Sequence, residues 1–230
     1  MIVAVIPARG GSKRIPRKNI RPFLGRPMIS WPIRAARESC LFDHIIVSTD
    51  DEQIAGVARE HGAEVPFTRP AALADDFSTT GDVMAHAVEW MRTEQWPVQA
   101  VCCLYATAPF VRADDLRAGL EQLREGNRNY VFTATAFEAP IFRAFRQDDN
   151  GGVSMFFPEH YQTRSQDLPE AFHDAAQFYW GTPEAWAAKM PLFASHSTLL
   201  LLPRWRVVDI DTVDDWQRAE LMAERIFQVS

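Results

Sequence analysis

Cysteine is scarce in this chain, and its three cysteines form no pattern typical of a disulfide framework or a metal site. Their number is odd, and Cys102 and Cys103 are neighbours inside an apolar run, where adjacent residues of a regular strand cannot bridge to one another. The C-x-x-C spacing of metal and redox motifs is also missing. We therefore expect reduced thiols and a cytoplasmic protein.

Long hydrophobic runs and an excess of basic charge are missing as well. No segment approaches the roughly 20 apolar residues that span a bilayer, and the short apolar run at the start is followed by charges, unlike a secretory signal. The net charge is −6, whereas a general nucleic-acid binder carries an extended basic surface. We expect neither a membrane nor a nucleic-acid partner. The six histidines show no metal-ligand spacing and no partnered nucleophile, so we interpret them as surface or structural residues.

Short β-branched runs alternate with amphipathic segments along most of the chain. These patterns predict strands at 2–6, 45–48, 65–67, 101–105, 130–136, 177–180, 199–202 and 207–208. They predict helices at 27–40, from Asp50 or Asp51 to 61, from Thr79 or Thr80 to 93, and at 114–124, 183–189 and 213–225.

Strict alternation of strand and helix predicts a Rossmann-like, doubly wound α/β fold with a mainly parallel sheet. We find no repeat and no linker, so residues 1–230 are expected to form one domain. The rhythm breaks at 138–174, which we predict to be an inserted segment that acts as a lid or as a subunit contact. In such sheets ligands bind at the carboxyl ends of the strands, so the residues after each strand are the candidates for chemistry.

The segment after the first predicted strand combines glycine with positive charge. Gly10 and Gly11 let the backbone approach a ligand, and exposed backbone N–H groups can cradle phosphate oxygens. Arg9, Lys13 and Lys18 add charge where a triphosphate would lie. The spacing matches neither the Walker A motif nor G-x-G-x-x-G. A solvated basic loop is the alternative interpretation.

Two carboxylates, Asp209 and Asp211, directly follow the last predicted strand. Alternate residues of an extended segment point the same way, so both carboxylates can face one site. Together with phosphate oxygens and waters they would suit Mg²⁺, which prefers oxygen ligands. Asp211 could instead cap the following helix, and the two roles are compatible.

Three further segments carry candidate residues. Arg69 can recognise a base or a phosphate, and Thr79 can bond to a ligand, although a plain turn and helix cap is the alternative. Tyr105 and Thr107 lie among small residues that permit close approach of a ligand, but a plain strand-to-helix turn fits equally well. Arg164 can bind a substrate carboxylate with two hydrogen bonds. The aromatic run that follows it is also typical of a buried core.

Together these motifs resemble the cytidylyltransferases that activate nine-carbon 2-keto sugar acids, the CMP-sialic acid synthetase family. Residues 6–19 are similar to that family's signature I-P-A-R-x-G-S-K-x-x-x-x-K-N, and 209–211 to its metal-binding D-x-D. Where neuraminate-activating members carry a Leu-Gln-Pro-Thr-Ser-Pro type of sequence, this chain has Tyr105 in place of the sugar-contacting Gln. Residues 105–110 and 174–180 are more similar to the pseudaminic acid branch.

The resemblance implies transfer of CMP from CTP to the anomeric hydroxyl of a sugar acid, with release of pyrophosphate, by a Mg²⁺-dependent homodimer. Pseudaminic acid is the expected acceptor, N-acetylneuraminic or legionaminic acid the alternative, and a non-catalytic nucleotide sensor the remote one. The implied catalytic residues are Arg9, Lys18 and Asp211, and the metal ligands are Asp209 and Asp211. The implied nucleotide contacts are Ala8, Arg9, Gly10, Gly11, Ser12, Lys13, Lys18, Asn19, Arg69 and Thr79. The implied substrate contacts are Tyr105, Thr107, Arg164, Gln166 and Gln177.

Overall fold

Strands and helices alternate along residues 1–227, the part of the chain that the computed structural model describes. The strands are β1 (Ile2–Pro7), β2 (Pro22–Phe23), β3 (Arg26–Pro27), β4 (His44–Ser48), β5 (Ala100–Leu104), β6 (Tyr130–Ala136), β7 (Phe145–Gln147), β8 (Val153–Met155), β9 (Phe172–Gly181) and β10 (Ser197–Leu201). The helices are α1 (Ser30–Ser39), α2 (Glu52–Glu60), α3 (Thr80–Thr93), α4 (Ala113–Glu125), α5 (Pro183–Ala187) and α6 (Val213–Ile226).

Six of the strands form one sheet in the order β10-β6-β9-β5-β1-β4. The pairs β1–β4, β1–β5 and β6–β10 are parallel, whereas β9 runs antiparallel to both of its neighbours, β5 and β6. This arrangement confirms the predicted doubly wound, mainly parallel fold. The antiparallel direction of its central strand was not predicted.

Helices cover both faces of the sheet, and the alternation of side chains along each strand divides the core accordingly. On one face, Leu116 of α4 packs in a cluster with Cys102 of β5. On the other, Met84 of α3 and Trp186 of α5 share a cluster with Cys103. The two adjacent cysteines thus point to opposite faces, and all three cysteines are free thiols, as predicted.

Two predicted strands are wrong. At 65–67 the chain forms no strand; it is flanked by isolated bridges from Glu64 to Ile46 of β4 and from Thr68 to Thr49, the residue after β4. Pro66 offers no N–H for a ladder, which explains the interruption. Val207 and Val208 are buried in extended backbone after a 3₁₀ turn (Arg204–Arg206), but they join no sheet. Buried apolar pairs occur outside strands as well, so their composition misled the prediction.

The segment 138–174, predicted as an insertion, ends inside the sheet, because residues 172–174 belong to β9. It contains the small hairpin β7–β8 and three 3₁₀ turns, and several of its aromatic side chains are exposed, among them Phe145 and Phe156. Its role as a lid or subunit contact stays a prediction. Among residues 1–227, no helix is both long enough and apolar enough to cross a membrane.

Candidate nucleotide-binding site

A cleft of about 250 Å³ opens at the carboxyl ends of β1 and β5, where the fold predicts a ligand. The loop after β1, the start of α3, the loop after β5 and the segment before α6 form its walls. Ten of the predicted site residues line it: Arg9, Ser12, Lys13, Lys18, Asn19, Arg69, Thr79, Tyr105, Thr107 and Asp211. Three residues that sequence reasoning did not assign to the site also line it, Arg14, Ile15 and Ser78, and so does Thr80 beside Thr79.

The loop after β1 is held in shape by its own polar groups. Asn19 is buried and donates from Nδ2 to the Arg9 carbonyl oxygen at 2.9 Å, which ties the end of the loop to its start. The Ala8 N–H donates to the Ser48 carbonyl oxygen of β4 at 3.0 Å. These contacts indicate that Ala8 and Asn19 shape the loop around the cleft.

On one side of the cleft, the basic loop faces an acidic turn before α3. Arg9 Nη1 lies 2.8 Å from Asp76 Oδ1, and Lys13 forms an ion pair with the same carboxylate. Hydrogen bonds from Lys13, with the charge of Arg9, lower the pKa of Asp76. Asp76 is partly exposed. Two cations predicted to bind phosphate therefore share one carboxylate at the cleft wall.

On the other side, the loop faces the carboxylates before α6. Lys18 Nζ donates to the Ile210 carbonyl oxygen at 2.6 Å and lies 3.2 Å from Asp211 Oδ1, while Arg14 Nη2 lies 2.9 Å from Asp211 Oδ2. Lys18 and Asp211, which are distant in sequence, thus form an ion pair in the lining of the cleft. This contact brings together two of the three predicted catalytic residues.

Asp209 and Asp211 form an acidic pair, and their like negative charges repel each other. Desolvation, together with the charge of Asp211, raises the pKa of Asp209, although the residue is exposed. Asp211 does not cap α6: Thr212 is the N-cap, and Asp215 completes a capping box with it. The alternative role considered for Asp211 is therefore wrong.

The acidic pair fits a hard divalent cation that takes most of its ligands from elsewhere. Within residues 1–227, no cluster of three or more His, Cys, Asp or Glu side chains has the geometry of a metal site. Two carboxylates satisfy Mg²⁺ when phosphate oxygens and waters complete its octahedron. Desolvation and the charge of Asp211 raise the pKa of Asp209, and a bound cation would offset that charge.

Arg69 is anchored at the back of the cleft by the end of β4. It is buried, and it donates from Nε to Ser48 Oγ at 3.1 Å and from Nη2 to the Ser48 carbonyl oxygen at 2.5 Å. Burial lowers the pKa of its guanidinium to about 10, which leaves it charged at neutral pH. Thr79 caps α3 with Asp82 as its capping-box partner, so the cap interpretation is confirmed although Thr79 also lines the cleft.

Tyr105 ends a line of buried hydroxyl groups. Its Oη lies 2.9 Å from Thr80 Oγ1, its ring packs against Tyr179, and Tyr179 donates to Asp174 Oδ2 at 2.5 Å. Burial raises the pKa of Tyr105 to about 12, so its hydroxyl is neutral at physiological pH. The contact of Tyr105 with Thr80 and its link through Tyr179 to Asp174 depend on the fold, so sequence reasoning did not predict them.

The comparisons with known proteins agree with this geometry. A family model described as cytidylyltransferase matches residues 3–177. The chain belongs to the cytidylyltransferase family. It is thus a CTP-dependent nucleotidyltransferase. Its fold places the basic loop and Asp211 on one cleft, whereas Asp209, Ala8, Gly10 and Gly11 are not among the residues that line it.

Similar proteins span nearly the whole of this cytidylyltransferase. The pseudaminic acid cytidylyltransferase of Campylobacter jejuni is 46% identical over 220 residues, which cover 96% of this chain and 95% of that protein. The CMP-N,N'-diacetyllegionaminic acid synthase of Legionella pneumophila is 32% identical over 229 residues, 97% of this chain and 96% of the relative. The solved structure of a CMP:2-keto-3-deoxy-manno-octonic acid synthetase complexed with CTP shares the fold, with a TM-score of 0.70 at 18% identity, and covers 97% and 99% of the two chains.

Three predicted substrate contacts of this cytidylyltransferase do not line the cleft. Arg164 lies in the segment 138–174 and pairs with Asp167, with Nε 2.7 Å from Oδ2, and Gln166 is exposed in the same turn. Gln177 is buried and donates from Nε2 to the Arg206 carbonyl oxygen at 2.8 Å. Their contact with substrate stays a prediction, and in the present geometry none of them lines the cleft with Tyr105.

Proposed function

We propose that this cytidylyltransferase transfers CMP from CTP to the anomeric hydroxyl of pseudaminic acid and releases pyrophosphate. The observation that carries the proposal is the meeting of Lys18 and Asp211 in a cleft of the cytidylyltransferase fold. The 46% identity to a pseudaminic acid cytidylyltransferase, over almost the full length of both chains, supports the choice of acceptor.

The basic loop acts on the triphosphate. Negative charge grows on the phosphate oxygens and on the leaving pyrophosphate as the hydroxyl attacks the α-phosphorus. Lys18, Arg9 and Lys13 border the cleft from one loop, and their charges offset that growth when they exchange carboxylate partners for phosphate oxygens. Positive groups fixed in place before the reaction lower its barrier because they need no reorganisation.

The acidic pair Asp209 and Asp211 is proposed to hold Mg²⁺. The cation would supply positive charge beside the α-phosphate. Asp211 also keeps Lys18 aimed at the cleft through their 3.2 Å contact. A cation between the pair would offset the repulsion that the two carboxylates impose on each other.

The acceptor side of the cleft is proposed to include Tyr105 and Thr107. Because the Tyr105 hydroxyl is neutral and in contact with Thr80, it presents a hydrogen-bonding group rather than a charge. Such a group suits the hydroxyl and acylamino substituents of a sugar acid. The 32% identity to a CMP-N,N'-diacetyllegionaminic acid synthase supports legionaminic acid as the alternative acceptor.

The acceptor is tested by incubating the purified protein with CTP and Mg²⁺ and a panel of pseudaminic, legionaminic, N-acetylneuraminic and 3-deoxy-octulosonic acids. We expect pyrophosphate release with the highest kcat/KM for pseudaminic acid. A higher kcat/KM for another acid would replace the acceptor in the proposal. CTP binding without pyrophosphate release for any acid would favour a nucleotide sensor.

We further propose a homodimer with residues 138–174 as the contact. Exposed Phe145, Val153 and Phe156 on and beside the β7–β8 hairpin support it, because exposed apolar groups cluster at subunit contacts. Light scattering of the protein is expected to give twice the chain mass, and F145S to shift it toward the monomer; a monomer at all concentrations would refute the contact. The cytoplasmic location stays a prediction.

A further inference from the structure

One arginine of the basic loop is turned away from the triphosphate cleft. Arg17 is not among the lining residues, although both of its near neighbours Arg14 and Lys18 are. Its guanidinium faces Asp51 instead, with Nη1 2.5 Å from Oδ2 and Nη2 3.0 Å from Oδ1, and Nη2 also donates to Gln53 Oε1 at 2.6 Å. A guanidinium bound in this bidentate manner is fixed in both position and orientation.

The carboxylate that holds Arg17 is itself immobilised. Asp51 is the N-cap of α2, and its Oδ1 accepts the backbone N–H groups of Gln53 at 2.9 Å and Ile54 at 3.0 Å. The hydrogen bonds from Arg17 lower the pKa of Asp51 to about 2, so it is ionised throughout the physiological range. The ion pair therefore links the loop to the rigid start of a helix.

The backbone conformation at Arg17 needs such a link. Its φ is +57°, in the left-handed region that non-glycine residues adopt at a cost of about 1 kcal/mol or more. Lys18 follows directly, so the conformation at Arg17 sets the direction from which the Lys18 side chain reaches Asp211. A contact that holds Arg17 in this conformation also places Lys18.

The other end of the loop contacts Asp51 and its neighbour Asp50. The Gly10 N–H donates to Asp50 Oδ1 at 3.0 Å. A Cβ at Gly10 would lie 2.7 Å from Asp51 Oδ2, so only glycine permits this approach. Asp50 and Asp51, at the carboxyl end of β4, thus contact the loop both where it leaves β1 and where it turns back.

We propose that Arg17 and Asp51 are positioning residues for the nucleotide: their ion pair holds the basic loop in the shape that CTP binds. This inference rests on the proposed function only in so far as CTP is the ligand of the cleft. Arg17 touches neither phosphate nor sugar; it acts through Lys18 and the loop backbone. Loss of the ion pair makes CTP bind to a loop that it must first order, and this ordering weakens binding.

The experiment uses the full-length protein with D51N, R17M and R17K. D51N keeps the N-cap, because Asn caps as well as Asp, and removes the charge that holds Arg17. We expect the Kd and the KM for CTP to rise about tenfold in D51N and R17M, with kcat changed by less than about threefold. R17K keeps the charge without the fork geometry and should recover part of the affinity.

Trypsin gives a readout that needs no turnover. Cleavage after Arg14 reports on the freedom of the loop, and this site is retained in all three variants. We expect faster cleavage there in D51N and R17M than in the wild type, and protection when CTP is added. Calorimetry of CTP binding and this cleavage assay need no acceptor, so they test the inference even if every sugar acid fails as substrate.

A matched control is R117M in α4, because the partners of Arg117 lie in α1 and α4 and none of them lies in the loop. Arg117 pairs with Asp114 at 2.5 Å and donates to the carbonyl oxygens of Ser39 at 3.1 Å and Glu38 at 2.9 Å. We expect it to leave the Kd for CTP and the cleavage after Arg14 unchanged. Folded D51N and R17M proteins with wild-type Kd and cleavage rates would overturn the inference, as would an equal loss of CTP affinity in R117M. A wild-type protein that does not bind CTP would refute the proposed function as well.

Discussion

The basic side chains of the loop after β1 form two kinds of ion pair, one on the side of α2 and the other on the side of the cleft. Arg17 pairs with Asp51, whose side chain is 20% exposed and already bonded to the first turn of α2. The cations that face the cleft pair instead with Asp76 and Asp211, which are 39% and 38% exposed. The hydrogen bonds that the carboxylate already accepts, rather than its charge, distinguish a structural ion pair from one whose cation can exchange the carboxylate for a phosphate.

This difference has a consequence for ligand binding. A triphosphate carries more charge than one carboxylate, so it can displace Asp76 from Arg9 and Lys13. It gains little from displacing Asp51, which would have to leave the helix start as well. We therefore expect the cleft-side pairs to exchange when CTP binds and the Arg17 pair to persist.

The largest effect is expected at Asp211. D211N removes the charge that both aims Lys18 and is proposed to hold Mg²⁺, and kcat/KM should fall by about 10²-fold or more, measured by pyrophosphate release against Mg²⁺ concentration. D214N, an exposed neighbour in the first turn of α6, is the matched control and should stay near the wild type. Near-normal turnover by folded D211N would remove Asp211 from the catalytic machinery.

A smaller effect is expected in the pH dependence of stability. Hydrogen bonds from Arg17 lower the pKa of Asp51 to about 2 from its ordinary value of 3.8. A lowered carboxyl pKa stabilises the folded state above the unfolded pKa, and this stabilisation is lost as pH falls from about 4 toward 2. It amounts to about 1–2 kcal/mol.

Urea unfolding at a series of pH values measures this contribution. The difference in free energy of unfolding between the wild type and D51N should be largest near neutral pH and shrink below about pH 4. D114N, which breaks a mostly exposed pair, should differ from the wild type by less than about 0.5 kcal/mol. A constant difference for D51N at all pH values would assign its effect to packing rather than to charge.

The smallest effect, and of opposite sign, is expected at Asp76. D76N frees Arg9 and Lys13 from their competing carboxylate, so CTP should bind about threefold more tightly at low salt, and the gain should fade as salt is added. Calorimetry at several ionic strengths measures it. E89Q, on the exposed face of α3, changes the net charge equally and serves as control. Weaker binding by D76N would instead give Asp76 a part in holding the nucleotide.

Much of the fold was predictable because strand and helix periods are local properties of the sequence. The direction of β9 was not, since a strand buried on both faces has the same apolar composition whichever way it runs. The false strand at 65–67 arose from an apolar run that Pro66 interrupts. The segment 138–174 was recognised only by its lack of period, which predicts no particular shape.

The candidate site was predictable in part: Lys18 lies in the loop after β1, and Asp211 was identified although the strand predicted before it does not form. Contacts with partners from elsewhere in the fold could not be predicted: the part played by Asp76 and the role of Arg17 depend on tertiary contacts. Gln177 was predicted to contact the substrate, but it does not line the cleft. It lies in the stretch where the pairing of β6 with β9 is irregular, and its side chain turns into the protein toward a backbone carbonyl.

The antiparallel strand β9 also sets the order in which the protein can assemble. It lies between β5 and β6, both of which are synthesised earlier, so the two halves of the sheet cannot join before β9 emerges. A nascent chain ending before residue 172 has its nucleotide loop, but β5 lacks its neighbour β9 and β6 lacks both of its neighbours, and unpaired strand edges invite aggregation. Closure of the central sheet is thus a late event in synthesis, and non-local contacts of this kind slow folding.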